Sequence, residues 1–310
     1  MHDGNGWTRC ALGHRHWGRY GAAGLLLVAP DRSAGPSVLL QLRSWWTSHG
    51  GSWGLPGGAR DSHESPVRAA LREAVEECAI DPAAVRVQAL LADRHGGWTY
   101  HTAVASAAGQ IAASSVSDET SEVAWVPVGE VGRLPLHPGL AEQWPALRSW
   151  LYPVTVVVDI ANVMGSRPDG WWRDRAGAAT RLLAQIAELS VKGAEVLPEG
   201  IGGPAFERWF PRFVAVLEGA AARSGEDDTE GDGDGMGGEG AAGCGDGPLA
   251  AGQPVVVRAR GSGDDEIVRQ AAAYADQGPT LVVTADRELR SRCVAVGAAV
   301  TGPRWLLGLL

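Results

Sequence analysis

The 310-residue chain has no apolar run approaching the ~20 residues that a membrane-spanning helix needs. Its N-terminus also lacks a basic stretch followed by an apolar one, so no secretory signal is evident. Cysteine is scarce. Cys10, Cys78, Cys244 and Cys293 are scattered, and no two stand at C-x-x-C spacing. Each reads as a reduced thiol rather than as half of a disulfide or a zinc ligand. Charge is thin, at 20% of residues, and the second half has no dense basic stripe. Together these absences predict a soluble, cytoplasmic protein with no membrane partner.

What is present is enough apolar material to build cores, 45% of residues, and a length that implies about two domains. The net charge of −9 is concentrated in one place. Between Ser224 and Gly247 stand Glu226, Asp227, Asp228, Glu230, Asp232, Asp234, Glu239 and Asp246, with no Lys or Arg among them. The remainder is near neutral, so the overall acidity does not argue against a phosphate-bearing substrate. This acidic, Gly-rich stretch cannot bury apolar surface and is expected to be disordered over about 224–253.

The most informative stretch runs from Gly57 to Ile80. Ser65 is a good N-cap, and Pro66 suits the first helical position, where its missing N–H costs nothing. Val67, Ala70, Leu71, Ala74, Val75 and Cys78 then form an apolar helical stripe. Glu73, Glu76 and Glu77 stand three and four apart and share a different face, with Arg72 at its edge. Three carboxylates on one face repel one another, so the face is either solvated or neutralised by cations.

The spacing is more specific than an arbitrary acidic face. Glu64 follows Gly58 by six positions, Arg72-Glu73 comes after it, and Glu76-Glu77 completes the string. With Leu55-Pro56-Gly57-Gly58 ahead of it, this resembles the Nudix box, which has Gly, Glu, Arg-Glu and Glu-Glu at these offsets. Two positions depart from the family pattern. Ala79 stands where a Gly usually ends the helix, and Ala74 is smaller than the usual apolar residue. A helix often exits through a left-handed residue, which Gly adopts cheaply.

The flanking segments suit that fold. Strand-length apolar runs cover 21–29, 37–43, 85–92, 98–106 and 122–128, and a helical segment with Pro breaks covers 134–150. The resemblance implies an α/β/α sandwich with a mixed sheet over residues 1–152. It also implies metal-assisted hydrolysis of a pyrophosphate with Mg²⁺ or Mn²⁺. In that picture Glu73, Glu76 and Glu77 are the metal ligands and Arg72 orients a glutamate. Glu64 supports the loop or binds a further ion, and Gly58 supplies backbone freedom. A carboxylate among Asp118, Glu119 and Glu122 is a further candidate, with a polar loop as the alternative. Trp45, Trp46, Trp53 and Trp98 read as core or rim, or as a stacking platform for a base.

After Pro153 the pattern changes. Val154–Asp159 is a β-branched run ending in an acid, as a buried parallel strand would be. Further strands are expected at 213–217, 254–258, 280–284 and 298–300, with helices over 176–190 and up to Tyr274. Acids close three of these strands: Asp159, Asp264/Asp265 and Asp286. Singly, each reads as a helix N-cap. Together, at the carboxyl ends of a parallel sheet, they favour a shared metal site. Asp159-x-x-Asn162, Ser262-Gly263-Asp264-Asp265-Glu266-Ile267-Val268 and Val282-Val283-Thr284-Ala285-Asp286 resemble the NYN branch of the PIN-like ribonucleases. That resemblance covers 153–310 and implies a parallel α/β domain. In it Asp159, Asp265 and Asp286 hold divalent ions, Asn162 positions a ligand or phosphate, and Asp264 and Glu288 support them. Arg167, Arg173, Arg175, Arg258 and Arg260 are the available phosphate contacts.

Two readings of the whole follow. One is a bifunctional hydrolase, a Nudix pyrophosphohydrolase acting on a nucleoside polyphosphate or an RNA 5′ end, fused to an endoribonuclease. The other is a Nudix enzyme carrying an inactive PIN-like module that binds RNA or ribosomes.

Overall fold

The computed structural model describes residues 2–31, 35–201, 206–218 and 253–310. The acidic run expected to be disordered, and Cys244 within it, lie outside the described residues. The chain divides into two compact units, one built from residues up to Pro153 together with 206–210 and the other from the rest. No helix among the described residues is long and apolar enough to cross a membrane.

The first unit opens with a small hairpin, β1 (Trp7–Arg9) and β2 (Arg15–Trp17). Its main sheet is mixed. β3 (Ala22–Asp31), β4 (Gly35–Arg43), β5 (Trp53–Gly54) and β6 (Gly57–Ala59) precede helix α1 (Pro66–Cys78). β7 (Arg86–Arg94), β8 (Thr99–Ser106) and β9 (Thr120–Pro127) follow it. A short helix α2 (Val128–Val131) and α3 (Pro138–Leu147), which contains Pro145, close the unit. β3 and β8 pair in parallel, whereas β3–β4, β3–β6, β4–β9 and β7–β8 are antiparallel. Segment 206–210, which the sequence reading assigns to the second domain, returns to this unit. There β11 (Arg208–Trp209) pairs antiparallel with β7, and Phe210 joins the core beneath α1.

Helix α1 forms as its termini dictate. Ser65 Oγ accepts from Arg68 N at 3.3 Å, and Pro66 occupies the first turn. The buried face differs from the expected stripe in three residues: Val75 is 37% exposed, while Ala69 and Glu77 are buried beside Ala70, Ala74 and Cys78. At the exit Ala79 adopts φ 51° and ψ 31°, and its N–H bonds to Val75 O. The geometry is the one a Gly would adopt, held here by a residue with a Cβ. Left-handed backbone costs an L-residue about 1–2 kcal/mol, and added Gly freedom in the unfolded chain returns about 0.4–1. Ala79→Gly is therefore expected to stabilise the protein by about 0.5–1 kcal/mol in chemical denaturation. An unchanged or lower midpoint contradicts this account.

The second unit is a five-stranded, all-parallel sheet with helices on its faces. Its elements are β10 (Thr155–Asp159), α4 (Ile160–Gly165), α5 (Arg175–Lys192), β12 (Arg212–Leu217), β13 (Val255–Arg258) and α6 (Gly263–Ala275). β14 (Thr280–Val283), α7 (Arg287–Ala295), β15 (Ala299–Thr301) and α8 (Pro303–Leu307) complete it. The strand order is β13-β12-β10-β14-β15. The chain thus builds outward from β10 on one side and then crosses to the other. In open parallel sheets such a reversal leaves a crevice at the strands' carboxyl ends. Val157, Val214 and Val282 pack with Ile267, Ala271, Leu289 and Cys293 from α6 and α7.

Candidate active site

In the first unit the acids of α1 gather around one guanidinium. Arg72 Nε donates to Glu64 Oε1 at 2.7 Å and Nη2 to Glu64 Oε2 at 3.0 Å, a bidentate pair. Arg72 Nη1 reaches Glu73 Oε1 at 2.9 Å and Glu76 Oε2 at 3.0 Å, and Nη2 also donates to Ala59 O at 2.9 Å. One side chain thus fixes three of the expected glutamates and the backbone of β6. Burial would raise Glu64, but Arg72 and the N–H of Asp61 hold its carboxyl below the usual range. The bonds to Glu64 in turn keep Arg72 firmly protonated against its own partial burial.

The remaining acid, Glu77, is held differently. Its Oε2 accepts from Gly57 N at 2.7 Å and from Gln41 Nε2 at 2.9 Å. Gln41 Oε1 accepts in turn from Thr120 Oγ1 at 2.5 Å. Gln41 lies on β4 and Thr120 on β9, so the sheet positions this acid from behind. Burial pushes the Glu77 carboxyl up to about 8, and nearby Glu73 adds to the effect. Glu73 is also raised, by burial first and against the pull of Arg72. The three carboxylates therefore do not form one solvated face. Glu77 is 7% exposed, whereas the side chains of Glu73 and Glu76 are 16% and 46% exposed.

Gly58 has a reason to be glycine. A Cβ built there would lie 2.6 Å from the Glu73 carboxylate, so any side chain displaces that acid. Two buried carboxyls pushed toward neutrality, beside a half-exposed third, make a hard-oxygen donor set in want of positive charge. That chemistry fits Mg²⁺ or Mn²⁺.

Sequence reasoning missed Gln41, Thr120 and Tyr100. The Tyr100 hydroxyl is raised by burial and by Glu77. Asp118, Glu119 and Glu122 are exposed, and their segment reaches the site through Thr120 rather than through a carboxylate. Trp98 is buried, whereas Trp45 and Trp46 are exposed.

The second unit gathers its acids at the carboxyl edge of the sheet. Asp159 ends β10, buried, with Oδ1 accepting from Asn162 N at 3.0 Å and Oδ2 from Thr284 Oγ1 at 2.9 Å. Asn162 Oδ1 accepts from Ala285 N at 2.9 Å, which ties the β10 and β14 loops together. Asp286 caps α7 through Leu289 N at 2.8 Å. Burial raises Asp159, and Asp264 and Glu218 add to it. Asp264 is raised by burial and then by Asp286 and Glu218.

The sequence reading offered both Asp264 and Asp265 as candidate metal acids, with Asp265 as an ion holder beside Asp159 and Asp286, and the two have different surroundings. Asp265 Oδ1 is engaged by Arg292, while Asp264 is the one of the two whose charge raises Asp159. A one-residue step on a helix turns the side chain by about 100°, so the two cannot share a direction. Glu288 lies on the Arg292 side of α7, and Glu218, whose Oε2 accepts from Gly263 N at 3.0 Å, is an unforeseen neighbour.

The model of the NUDIX domain matches residues 19–148. A Mycobacterium tuberculosis protein named "Putative 8-oxo-dGTP diphosphatase 3" is 47% identical over 162 residues, which cover 50% of this chain and 72% of that one. A Bifidobacterium longum protein, "Nucleoside triphosphate pyrophosphatase/Nudix hydrolase fusion protein", is 38% identical over 146 residues, covering 46% of this chain and 30% of the relative. Among solved structures, the Nudix hydrolase RenU from M. smegmatis is 43% identical. It matches 47% of this chain and 93% of its own with a TM-score of 0.45.

Proposed function

Because the chain belongs to the Nudix family, we propose that its first unit hydrolyses a phosphoanhydride bond of a nucleoside polyphosphate, with Glu73, Glu76 and Glu77 holding Mg²⁺ or Mn²⁺. The observation that carries this reading is the pair of buried carboxyls, Glu73 and Glu77, pushed up beside an Arg72 already shared among Glu64, Glu73 and Glu76. A divalent ion bound there supplies charge neutralisation at the phosphates and an activated water. The protein's own part is positioning. Arg72 locks Glu64 and Glu73 to the β6 turn, Gln41 and Gly57 aim Glu77, and Gly58 leaves room for Glu73. Trp45 and Trp46, exposed on the loop after β4, are offered as stacking surfaces for a base. The name of the mycobacterial relative makes an oxidised purine triphosphate the first substrate to try, with RNA carrying a 5′ triphosphate as the second.

For the second unit we propose a PIN-like, metal-dependent ribonuclease, with Asp159, Asp264 and Asp286 as its acids and Asn162 as the loop tie. Its support is the gathering of these acids with Glu218 at the reversal point of a parallel sheet. The rival is a module that binds RNA without cutting it.

One experiment tests both units in the full chain. Product masses are followed on 8-oxo-dGTP, dGTP, other nucleoside polyphosphates and 5′-triphosphorylated RNA, with Mg²⁺ or Mn²⁺. The protein is compared with Glu76→Gln and Asp286→Asn. Asn can keep the α7 cap, so that variant retains its fold. Loss of anhydride cleavage in Glu76→Gln alone, and of RNA cutting in Asp286→Asn alone, supports the two-enzyme reading. RNA bound but uncut by the intact protein favours the binding module. A Glu76→Gln variant as active as the parent removes the proposed site.

A further inference from the structure

The hairpin at the start of the chain brings together residues that the site above does not use. Cys10 follows β1, His14 precedes β2, His16 sits within β2, and His95 lies in the turn between β7 and β8. One ligand atom from each lies within 4.8 Å of all the others. The hairpin turn is already docked on the β7–β8 turn, because Ala11 N donates to Gly96 O at 2.8 Å.

We propose that Cys10, His14, His16 and His95 form a structural zinc site that clamps the N-terminal hairpin onto the β7–β8 turn. A thiolate with three imidazoles is a borderline-soft donor set, suited to Zn²⁺ and poorly suited to the Mg²⁺ or Mn²⁺ of a carboxylate site. Four protein ligands leave no open position, which is the mark of a structural rather than a catalytic zinc.

The surroundings are those of a prepared site. Cys10 is a free thiol, 5% exposed, packed with Ala22 and Trp98. The ring of His16 stacks on Trp98, with centroids 4.0 Å apart and planes 13° apart. Trp98 is itself fixed by Nε1 donating to Gly18 O at 2.9 Å. His16 Nε2 is buried and has no hydrogen-bond partner, a costly state unless something meets it. His95 Nε2 lies 3.2 Å from Asp93 Oδ2, the carboxylate–imidazole arrangement that orients zinc-binding histidines and leaves Nδ1 for the metal. Asp93 is held in turn by Gln143 Nε2 at 3.2 Å.

Tetrahedral zinc with bonds of about 2.1–2.3 Å places its ligand atoms about 3.4–3.7 Å apart. With the ligand atoms within 4.8 Å of one another, the cluster contracts by at most about 1 Å to hold the ion. Most of that movement falls to exposed His14, whose ring centre is 6.3 Å from His16 and 6.4 Å from His95, against 4.7 Å between the latter two.

The test uses the tag-free full chain, with metal content measured by mass spectrometry after gel filtration and Co²⁺ titrated into the chelator-stripped protein. The expected result is one zinc per chain, together with a thiolate-to-cobalt charge-transfer band and the intense visible bands of four-coordinate cobalt. Cys10→Ser should remove the charge-transfer band, and His14→Ala should weaken zinc binding at least about tenfold. His14 is exposed, so its replacement leaves the hairpin intact without metal. Zinc should also raise the melting temperature of the stripped parent but not of Cys10→Ser. Zinc at background level with no cobalt bands overturns the proposal, as does zinc retained undiminished in both variants.

Discussion

Glu77→Gln is expected to cut catalysis at least about 100-fold and, in metal-free protein, to stabilise the fold. Even residues that only orient a ligand cost about 10–100-fold when lost, so a ligand itself sets that as a floor. The stability effect follows from burial. In the folded, metal-free protein the Glu77 carboxyl keeps its proton up to about pH 8, against an ordinary value of 4.5. Between those values the native state binds more protons than the unfolded chain, so stability falls as pH rises. The slope is at most about 1.4 kcal/mol per pH unit. A glutamine is a neutral mimic of the protonated acid and can still accept from Gly57 N and Gln41 Nε2. Melts in EDTA at a series of pH values should therefore show the parent losing about 2 kcal/mol relative to Glu77→Gln between pH 5.5 and 7.5. Millimolar Mg²⁺ should flatten the parent's dependence. Parallel curves for parent and variant across that window contradict the assignment of Glu77 as a buried, cation-requiring acid.

Arg72→Ala is expected to have the largest effect on stability. It removes the partner of Glu64, Glu73 and Glu76 at once and leaves Glu64 and Glu73, both mostly buried, with uncompensated charge. Breaking a buried pair from one side costs about 3–5 kcal/mol. The half-exposed Glu76 contributes little, so the low end, about 3 kcal/mol, is the expectation. Arg72→Lys restores one charge but not the planar fork, so the second oxygen of Glu64 and the Ala59 carbonyl lose their donors. The lysine variant should fall between parent and alanine, and Mg²⁺ should rescue both in part because it neutralises the same acids. Alanine as stable as the parent in EDTA, or lysine equal to arginine, contradicts the hub role. Together the two variants separate the acid that wants a cation from the cation that holds the acids.

The sequence carried the box well because its signal is local. Gly58, Glu64, Arg72, Glu73, Glu76 and Glu77 lie within one turn and one helix, where spacing dictates geometry. Even Glu77's burial was legible in principle, since it stands seven residues after Ala70, on the apolar stripe. Gln41 and Thr120 were not legible, because β4 and β9 bring them to Glu77 from 36 and about 43 positions away. Which of Asp264 and Asp265 lies nearer Asp159 in charge depends on how α6 presents its first turn. Spacing at the carboxyl end of a strand does not fix that. Cys10-x-x-x-His14-x-His16 is a visible pattern, but its fourth member is supplied by a turn some 80 residues later, so the scattered cysteines read as inert. The return of residues 206–210 to the first unit was invisible for the same reason: a two-residue edge strand has no periodicity of its own.

That last feature bears on synthesis at the ribosome. The first unit cannot be completed when its own half of the chain has emerged, because Phe206, Trp209 and Phe210, all buried in it, are made later. At about 5–20 residues per second the interval is roughly 3–11 s. Throughout it the backbone edge of β7 stands unpaired, the kind of edge on which nascent chains stick to one another. The second unit's first strand and helices are translated within the same interval. The order of manufacture is therefore interleaved, and the catalytic unit matures only after its neighbour has begun.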